Sequence, residues 1–156
     1  MGTNGERTTP DDLFRPLDRI FDFQLDAAAT AENAKCARFF TREQSAFLRD
    51  WGVGPAFCNP PYDAGGLLGW CDLMARWGHS MIVVGVLPGD TSTRWFQKIW
   101  DTAQIVWFPP RRYKFNGLAT SAKFASAIPI WGPLQASRRR QYADKLMGNG
   151  GKAILL

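Results

Sequence analysis

The sequence predicts an α/β protein: helices on both faces of a mostly parallel sheet, a three-layer α/β/α sandwich. Three observations carry this expectation. Short apolar runs alternate with segments of helical periodicity along the 156 residues. The run Ser80–Leu87 is apolar almost throughout, as a central parallel strand buried on both faces should be. A proline-fixed loop, Asn59-Pro60-Pro61-Tyr62, follows the short apolar run Pro55–Cys58, and in open α/β sheets ligands bind just past the strand ends.

The elements follow in order. Met1–Thr8 is polar and expected to fray. Thr9-Pro10-Asp11-Asp12 reads as a helix start, with Thr9 as cap, Pro10 in the first turn and acids behind it. Leu13, Phe14, Leu17 and Ile20 mark the apolar face of that helix. Phe21–Asp26 alternates strictly and predicts a strand ending on Asp26. Ala27–Phe40 is alanine-rich, expected to be helical at its start and extended around Ala37–Phe40. Thr41 is placed to cap a helix over Arg42–Trp51, closed by Gly52.

Phe57–Asn59 is the next strand, Asp63–Gly66 a turn, and Leu67–Trp77 a helix with Leu67, Trp70, Cys71 and Met74 on one face. After the run Ser80–Leu87, Pro88-Gly89-Asp90 breaks the chain and Thr91 opens a helix through Trp100. Ala103–Phe108 is a strand stopped by Pro109-Pro110. Lys114–Ser121 lacks periodicity and reads as a mobile loop. Phe124–Trp131 is the last apolar run, and Pro129 inside it argues for an edge strand or a bulge. Ala136–Met147 is a basic helix, and Gly148–Lys152 reads as a loose tail. Residues 1–156 thus read as one domain, with flexible ends at 1–8 and 148–156.

Composition narrows the function classes. Hydrophobic residues make up 46%, including 11 Phe and 7 Trp, enough for a real core; Trp95, Phe96, Trp100 and Trp107 are expected there. The net charge of +5 suits a polyanionic partner such as nucleic acid. Cys36, Cys58 and Cys71 stand apart in apolar contexts, as reduced buried thiols of a cytosolic protein would. One histidine, His79, and no Cys/His cluster argue against a metal site. No run reaches membrane-spanning length and no signal peptide is apparent. Oligomeric state is not legible.

The chemistry concentrates in the proline loop. Asn59 offers a side-chain carbonyl, Pro60 a main-chain carbonyl, and Pro61 restricts the backbone so that the two acceptors keep a fixed relation. Tyr62 supplies a flat ring. Two acceptors and a stacking face suit a planar substrate with an exocyclic amine. Accepting both N–H bonds favours a pyramidal nitrogen with its lone pair aimed at an electrophile. The ring of Tyr62, rather than its hydroxyl, is expected to matter. This tetrapeptide is the motif of amino-methyltransferases that use S-adenosylmethionine (SAM).

Most of the chain, from about Thr9 to Trp131, resembles the phage-type DNA N-6-adenine methyltransferases of the Dam family. The landmarks are Thr9-Pro10 with Leu13-Phe14, Leu25–Ala29 with Asn33–Cys36, Asn59–Tyr62, Leu87-Pro88 with Thr91 to Phe96, and Arg112–Phe115. The resemblance implies a Rossmann-like SAM-binding fold and methyl transfer to adenine N6 in DNA, with the base flipped out. It implies Asn59, Pro60, Pro61 and Tyr62 as the catalytic loop. It places Thr9, Pro10 and Asp26, with Asn59, against SAM, and Tyr62, Arg112 and Phe115 on the target-base side. A phage-encoded enzyme of this kind would act in the cytoplasm of the bacterial host, and protecting phage DNA from restriction would be its use.

Two departures stand out. The broader methyltransferase pattern has a Gly-x-Gly turn after the first strand, where this chain has Ala27-Ala28-Ala29. The spacing from Asp26 to Asn59 leaves little room for two further strands, so a reduced sheet is expected. Bland roles compete with the functional ones: Asp26 as a helix cap, Thr9-Pro10 as a plain helix start, Tyr62 as core, Arg112 and Arg138–Arg140 as solvated charges. Two rival functions remain open at this level. One is methylation of a protein glutamine or an RNA base amine. The other is a non-catalytic DNA-binding relative, favoured by the missing glycine turn.

Overall fold

The computed structural model describes residues 8–62 and 66–156. The chain runs α1 (Asp11–Phe21), β1 (Leu25–Asp26), β2 (Ala56–Cys58), α2 (Gly66–Trp77), β3 (Val83–Gly85), β4 (Leu87–Pro88), α3 (Arg94–Thr102), β5 (Ile105–Phe108), a 3-10 turn (Phe115–Gly117), β6 (Ser126–Trp131), α4 (Ala136–Met147) and β7 (Lys152–Leu155). These strands form one seven-stranded sheet in the order β1-β2-β3-β6-β5-β7, with β4 on β6. β1, β2 and β3 pair in parallel, and β4 and β5 run the same way; β6 and β7 run against them.

Alternation along the strands separates two cores. Cys58, Val83, Leu87 and Val106 pack with α2 and α3, through Cys71, Met74, Phe96 and Ile99. Phe57, Val84, Ile105 and Ile128 pack with α1 and α4, through Leu13, Phe14, Leu17, Tyr142 and Leu146. The three-layer sandwich and its Rossmann-like character therefore stand. The described residues between Asp26 and Ala56 add no further named strand to this seven-stranded sheet; among the described residues, an isolated parallel bridge, Asp26 to Phe39, lies beyond β1. That extended piece, near Ala37–Phe40 as expected, covers the outer edge of β1, with Asp26 N–H donating to the Arg38 carbonyl (3.0 Å) and Phe40 N–H to the Asp26 carbonyl (2.9 Å).

Several local expectations are corrected. Phe21 ends α1 rather than starting a strand: Asp22 turns left-handed (φ 54°), and only Leu25–Asp26 finds a neighbouring strand. The alternating burial of Phe21, Phe23 and Leu25 is nevertheless real. Neither Ala27–Phe40 nor Arg42–Trp51 contains a helix. Side chains take the backbone groups that a helix would have used. The Asp26 carboxylate accepts the N–H groups of Ala28 (3.3 Å) and Lys35 (3.0 Å), and the Arg38 guanidinium donates to the carbonyls of Asp50 and Trp51, each at 2.6 Å. Thr93, not Thr91, caps α3, accepting from Phe96 N–H at 3.3 Å.

Pro129 lies neither at an edge nor in a bulge. β6 is central, between β3 and β5. The carbonyl of Ile130 accepts from Gln104 on the β5 side, so the backbone of Pro129 faces β3 and β4. The missing N–H interrupts that ladder between β3 and β4, and pairing resumes at Leu87–Ala127 in unchanged register. Gly85 makes room: a Cβ there would stand 3.3 Å from Pro129 Cγ and 3.1 Å from Met74 Sδ.

The tail is also corrected. Lys152–Leu155 pairs with β5 as strand β7. Gly150 (φ 90°) and Gly151 (φ 71°) make the turn into it, and Trp107 Nε1 donates to the Gly150 carbonyl at 2.9 Å. The expected fraying of Met1–Thr8 falls outside the described residues except at Thr8, which is hydrogen-bonded to Asn116. The expected turn at Asp63–Gly66 lies outside them up to Gly66, the first residue of α2.

Candidate active site

β1 and β2 are parallel neighbours, so both deliver their last residues to the same edge of the sheet. Asp26 ends β1, and Asn59 follows β2. Between the loops that leave them opens a cavity of about 210 Å³. Ala27–Ala29, Thr30 and Asn33 line it from the first loop, Phe40–Arg42 and Ser45–Phe47 from further along the same crossover, and Asn59, Pro61 and Trp70 from the second side. Small alanines stand where glycines are usual, and aromatic faces (Phe40, Phe47, Trp70) alternate with hydroxyls, the amides of Asn33 and Asn59, and the Arg42 guanidinium.

Asp26 is 3% exposed and does not line this cavity. Its carboxylate holds the first loop in place by accepting from Ala28 and Lys35. It is not a helix cap, because no helix follows. Burial pushes its pKa up to about 6, against the lowering effect of those two N–H groups and the Lys35 charge. Cys58 lies beside it, fully buried, its thiol raised further by burial.

Asn59 is 3% exposed and lines the cavity. Its Nδ2 donates to Thr9 Oγ1 at 3.0 Å, a contact across fifty residues of chain. Thr9 is therefore not the side-chain cap expected of it; Pro10 occupies the cap position of α1 with no side-chain hydrogen bond, and its carbonyl accepts from Leu13 (3.1 Å) and Phe14 (3.0 Å).

Tyr62 reveals a use for its hydroxyl. In the β2–β3 ladder, Ala56 N–H donates to the Ile82 carbonyl and Val86 N–H to the Cys58 carbonyl, both at 2.9 Å. The next rung would be an N–H at residue 60 donating to Val86, and Pro60 has none. Tyr62 Oη donates to the Val86 carbonyl instead, at 2.8 Å. The tyrosine thus completes the rung that the motif's own proline leaves open. Its ring packs edge-on against Phe124, with centroids 5.6 Å apart.

The remaining candidates are scattered. Pro60 is buried and Pro61 half-buried at the cavity wall. Arg112 is exposed and Phe115 is 1% exposed, packed in the core with α1. Neither lines the cavity, nor do Thr9, Pro10 and Tyr62. The loop after Arg112 is tied down rather than free at its start: Asn116 N–H donates to the Thr8 carbonyl (3.1 Å), and Thr8 N–H to Asn116 Oδ1. Sequence reasoning missed Phe40, Thr41, Arg42, Phe47 and Trp70 as cavity walls. For the first four the one signal was an apolar–polar mixture over residues 40–47 without a helical period, while Trp70 was read as part of the apolar face of the helix over Leu67–Trp77.

Comparison with known proteins settles the family. The family description "DNA N-6-adenine-methyltransferase (Dam)" matches residues 4–138. The chain belongs to the Dam family. A DNA N-6-adenine-methyltransferase of Escherichia phage T1 is 31% identical over 103 residues, covering 64% of this chain and 43% of that protein. Another relative, the DNA N-6-adenine-methyltransferase of Haemophilus phage HP1, is 30% identical over 110 residues, covering 69% of this chain and 64% of that protein. The matched region thus spans under half of the T1 protein and under two thirds of the HP1 protein. Among the described residues of this Dam-family chain, no helix is long and apolar enough to cross a membrane.

Proposed function

We propose that this chain transfers the methyl group of SAM to the exocyclic N6 of adenine in DNA, with the adenine flipped out of the helix. The observation that carries the reading is the position of Asn59 and Pro61. They form part of the wall of a cavity at the carboxyl ends of two parallel strands, with Tyr62 just beyond it. The names of the phage relatives supply the DNA and the adenine.

The lining fits SAM. Phe40, Phe47 and Trp70 offer faces for an adenine ring, Thr30, Thr41 and Ser45 offer hydroxyls to a ribose, and Arg42 offers a cation to a carboxylate. Asp26 shapes this wall by fixing the loop through Ala28 and Lys35. When bound, SAM supplies an electrophilic methyl group.

The chain's own work is positioning. Asn59 Oδ1 and the Pro60 carbonyl accept the two N–H bonds of the target amine, which turns its lone pair toward the cavity. As the N–C bond forms, the sulfonium's bond to the methyl would break and leave a neutral thioether, and the cationic nitrogen would then lose one proton toward Asn59 or water. Flipping costs a few kcal/mol, and stacking on Tyr62 offsets about 1–3 kcal/mol of it. Arg112 and the net charge of +5 favour the DNA backbone.

The test is tritium transfer from labelled SAM to DNA, RNA and protein offered separately. Label in DNA, recovered as N6-methyladenine, is the expected result. Label in RNA or protein alone would replace this reading with the corresponding rival. Absence of SAM binding by calorimetry would favour a non-catalytic role.

A further inference from the structure

We infer that Thr9 is a positioning residue for Asn59, and that Asn116 holds Thr9 in place. This inference rests on the amine-methylation reading of Asn59 given above. A primary carboxamide has a donor end and an acceptor end, related by a half-turn about its last torsion. Only one of the two orientations serves an amine substrate. The substrate's N–H groups need Oδ1; the flipped amide would meet them with its own donors. Orientation is therefore a catalytic requirement, and it must be met before substrate arrives.

Thr9 meets it from outside the cavity. Thr9 is 4% exposed, and its hydroxyl accepts from Asn59 Nδ2 at 3.0 Å. Nδ2 and Oδ1 diverge from one carbon, so drawing Nδ2 to Thr9 turns Oδ1 away from Thr9. Asn59 lines the cavity and Thr9 does not. The bond thus commits the donor end to the protein.

Thr9 is in turn fixed from both neighbours. Behind it, the Pro10 carbonyl receives the first hydrogen bonds of α1. Ahead of it, Thr8 and Asn116 exchange two hydrogen bonds, Asn116 N–H to the Thr8 carbonyl and Thr8 N–H to Asn116 Oδ1. Asn116 adopts a left-handed backbone (φ 60°) to do so. Asparagine tolerates that conformation and carries the acceptor that the clamp needs. The surface loop that follows Arg112 is thereby joined to the Asn59 amide through Thr8 and Thr9.

Two measurements test this. In ¹⁵N-labelled protein without SAM or DNA, the Asn59 side-chain NH₂ pair is assigned by its loss in Asn59→Asp. Thr9→Val should shift that pair toward the position of a solvated amide, and Thr9→Ser should leave it near the wild-type position. In single-turnover methylation with saturating SAM, Thr9→Val should slow the step by about tenfold or more, as for a lost orienting hydrogen bond, with half-saturating DNA and SAM concentrations within about threefold. Thr9→Ser should recover most of the rate. Asn116→Gly keeps the left-handed backbone but removes the acceptor, and should displace the same NH₂ pair by less. An unmoved pair in Thr9→Val, an unchanged rate, an effect on half-saturation alone, or a serine variant as slow as valine would overturn the assignment. Should Thr9→Val fail to fold, an unmoved pair in Asn116→Gly overturns the clamp, and a serine variant slowed tenfold overturns the hydroxyl's role. Should the wild type methylate no DNA, the functional reading fails while the resonance shifts still decide the Thr9–Asn59 contact.

Discussion

Two crossovers join neighbouring parallel strands in this sheet, and they are built in opposite ways. Between β2 and β3 the chain passes through α2, whose backbone is satisfied internally and whose Leu67, Cys71 and Met74 are buried in the core. Between β1 and β2 it passes through residues 27–55 with no helix at all. That second crossover is held by side chains: Asp26 on Ala28 and Lys35, Arg38 on Asp50 and Trp51, Trp51 Nε1 on the Ala46 carbonyl (3.0 Å). A helix covers a sheet well but closes its own polar groups to a ligand. An irregular crossover leaves hydroxyls, an amide and aromatic faces around a cavity. The helical crossover contributes Asn59 and Tyr62 just before its helix begins; the irregular one contributes most of the cavity wall. Chemistry and cofactor binding should therefore separate by crossover, and mutations can break that division.

The largest effect should come from Asn59→Ala. It should slow methyl transfer by about a hundredfold or more while SAM affinity stays within a few fold. Parallel loss of SAM binding, read by calorimetry, would mean that the two roles are not divided as proposed. Asn59→Asp keeps an acceptor and should retain partial activity.

Next is the pH response of the irregular crossover. Asp26 has a folded pKa of about 6 against an ordinary 3.8. The folded state binds its proton more tightly, so the favourable contribution of the protonated group is full below about pH 4 and is lost as pH rises through about 6. The loss is on the order of 2–3 kcal/mol. Asp26→Asn should be free of it, so the difference in denaturation midpoint between variant and wild type should move in the variant's favour over that window. A flat difference would show that Asp26 titrates normally. Asp26→Ala should also weaken SAM binding, by about 1–3 kcal/mol if the loop it fixes is the SAM wall. An affinity left intact, with only the melting temperature lowered, would confine Asp26 to a structural role.

Arg38→Ala should cost about 1–2 kcal/mol, discounted for the exposure of the guanidinium, and should open residues 41–54 to proteolysis. Asp72→Ala, which breaks an exposed pair with Lys98 on the helical crossover, should leave the melting temperature where it was. Equal effects would erase the contrast between the two crossovers.

Tyr62→Phe should have a smaller effect, about 1 kcal/mol of stability together with a severalfold slower turnover, because the Val86 carbonyl loses its donor while the ring stays. Tyr62→Ala should do more harm. An adenine opposite an abasic site is already partly unstacked and should rescue part of that loss in single-turnover assays.

The smallest expected change concerns the far end of the molecule. Arg139 donates to the carbonyls of Leu134 and Leu156, both at 3.0 Å, and so belongs to the fold. Reversing the exposed Arg138 and Arg140 alone should flatten the salt dependence of DNA binding if α4 touches phosphates. An identical slope would leave α4 a solvated helix.

Periodicity by itself determined the elements whose burial repeats along the chain. α4 was legible residue for residue as Ala136–Met147 and α2 to within one residue, whereas the apolar run Ser80–Leu87, read as a single strand, divides into β3 and a short β4 that takes in Pro88. The proline tetrapeptide after β2 determined where the chemistry was to be sought. Such patterns record which face of an element is buried, but not what it is buried against. Tertiary structure alone decided that β6 is central despite Pro129, because a missing N–H costs one rung only where a neighbour would have accepted it. It alone decided that residues 27–51 are not helical, since Asp26 and Arg38 capture backbone groups that local propensity assigns to a helix. The same holds for the partners of the motif. Asn59 finds Thr9 fifty residues away, and Tyr62 finds a carbonyl that Pro60 could not serve. A hydrogen bond between distant residues leaves no period in the sequence; it exists only once the sheet has brought the strand ends to one edge.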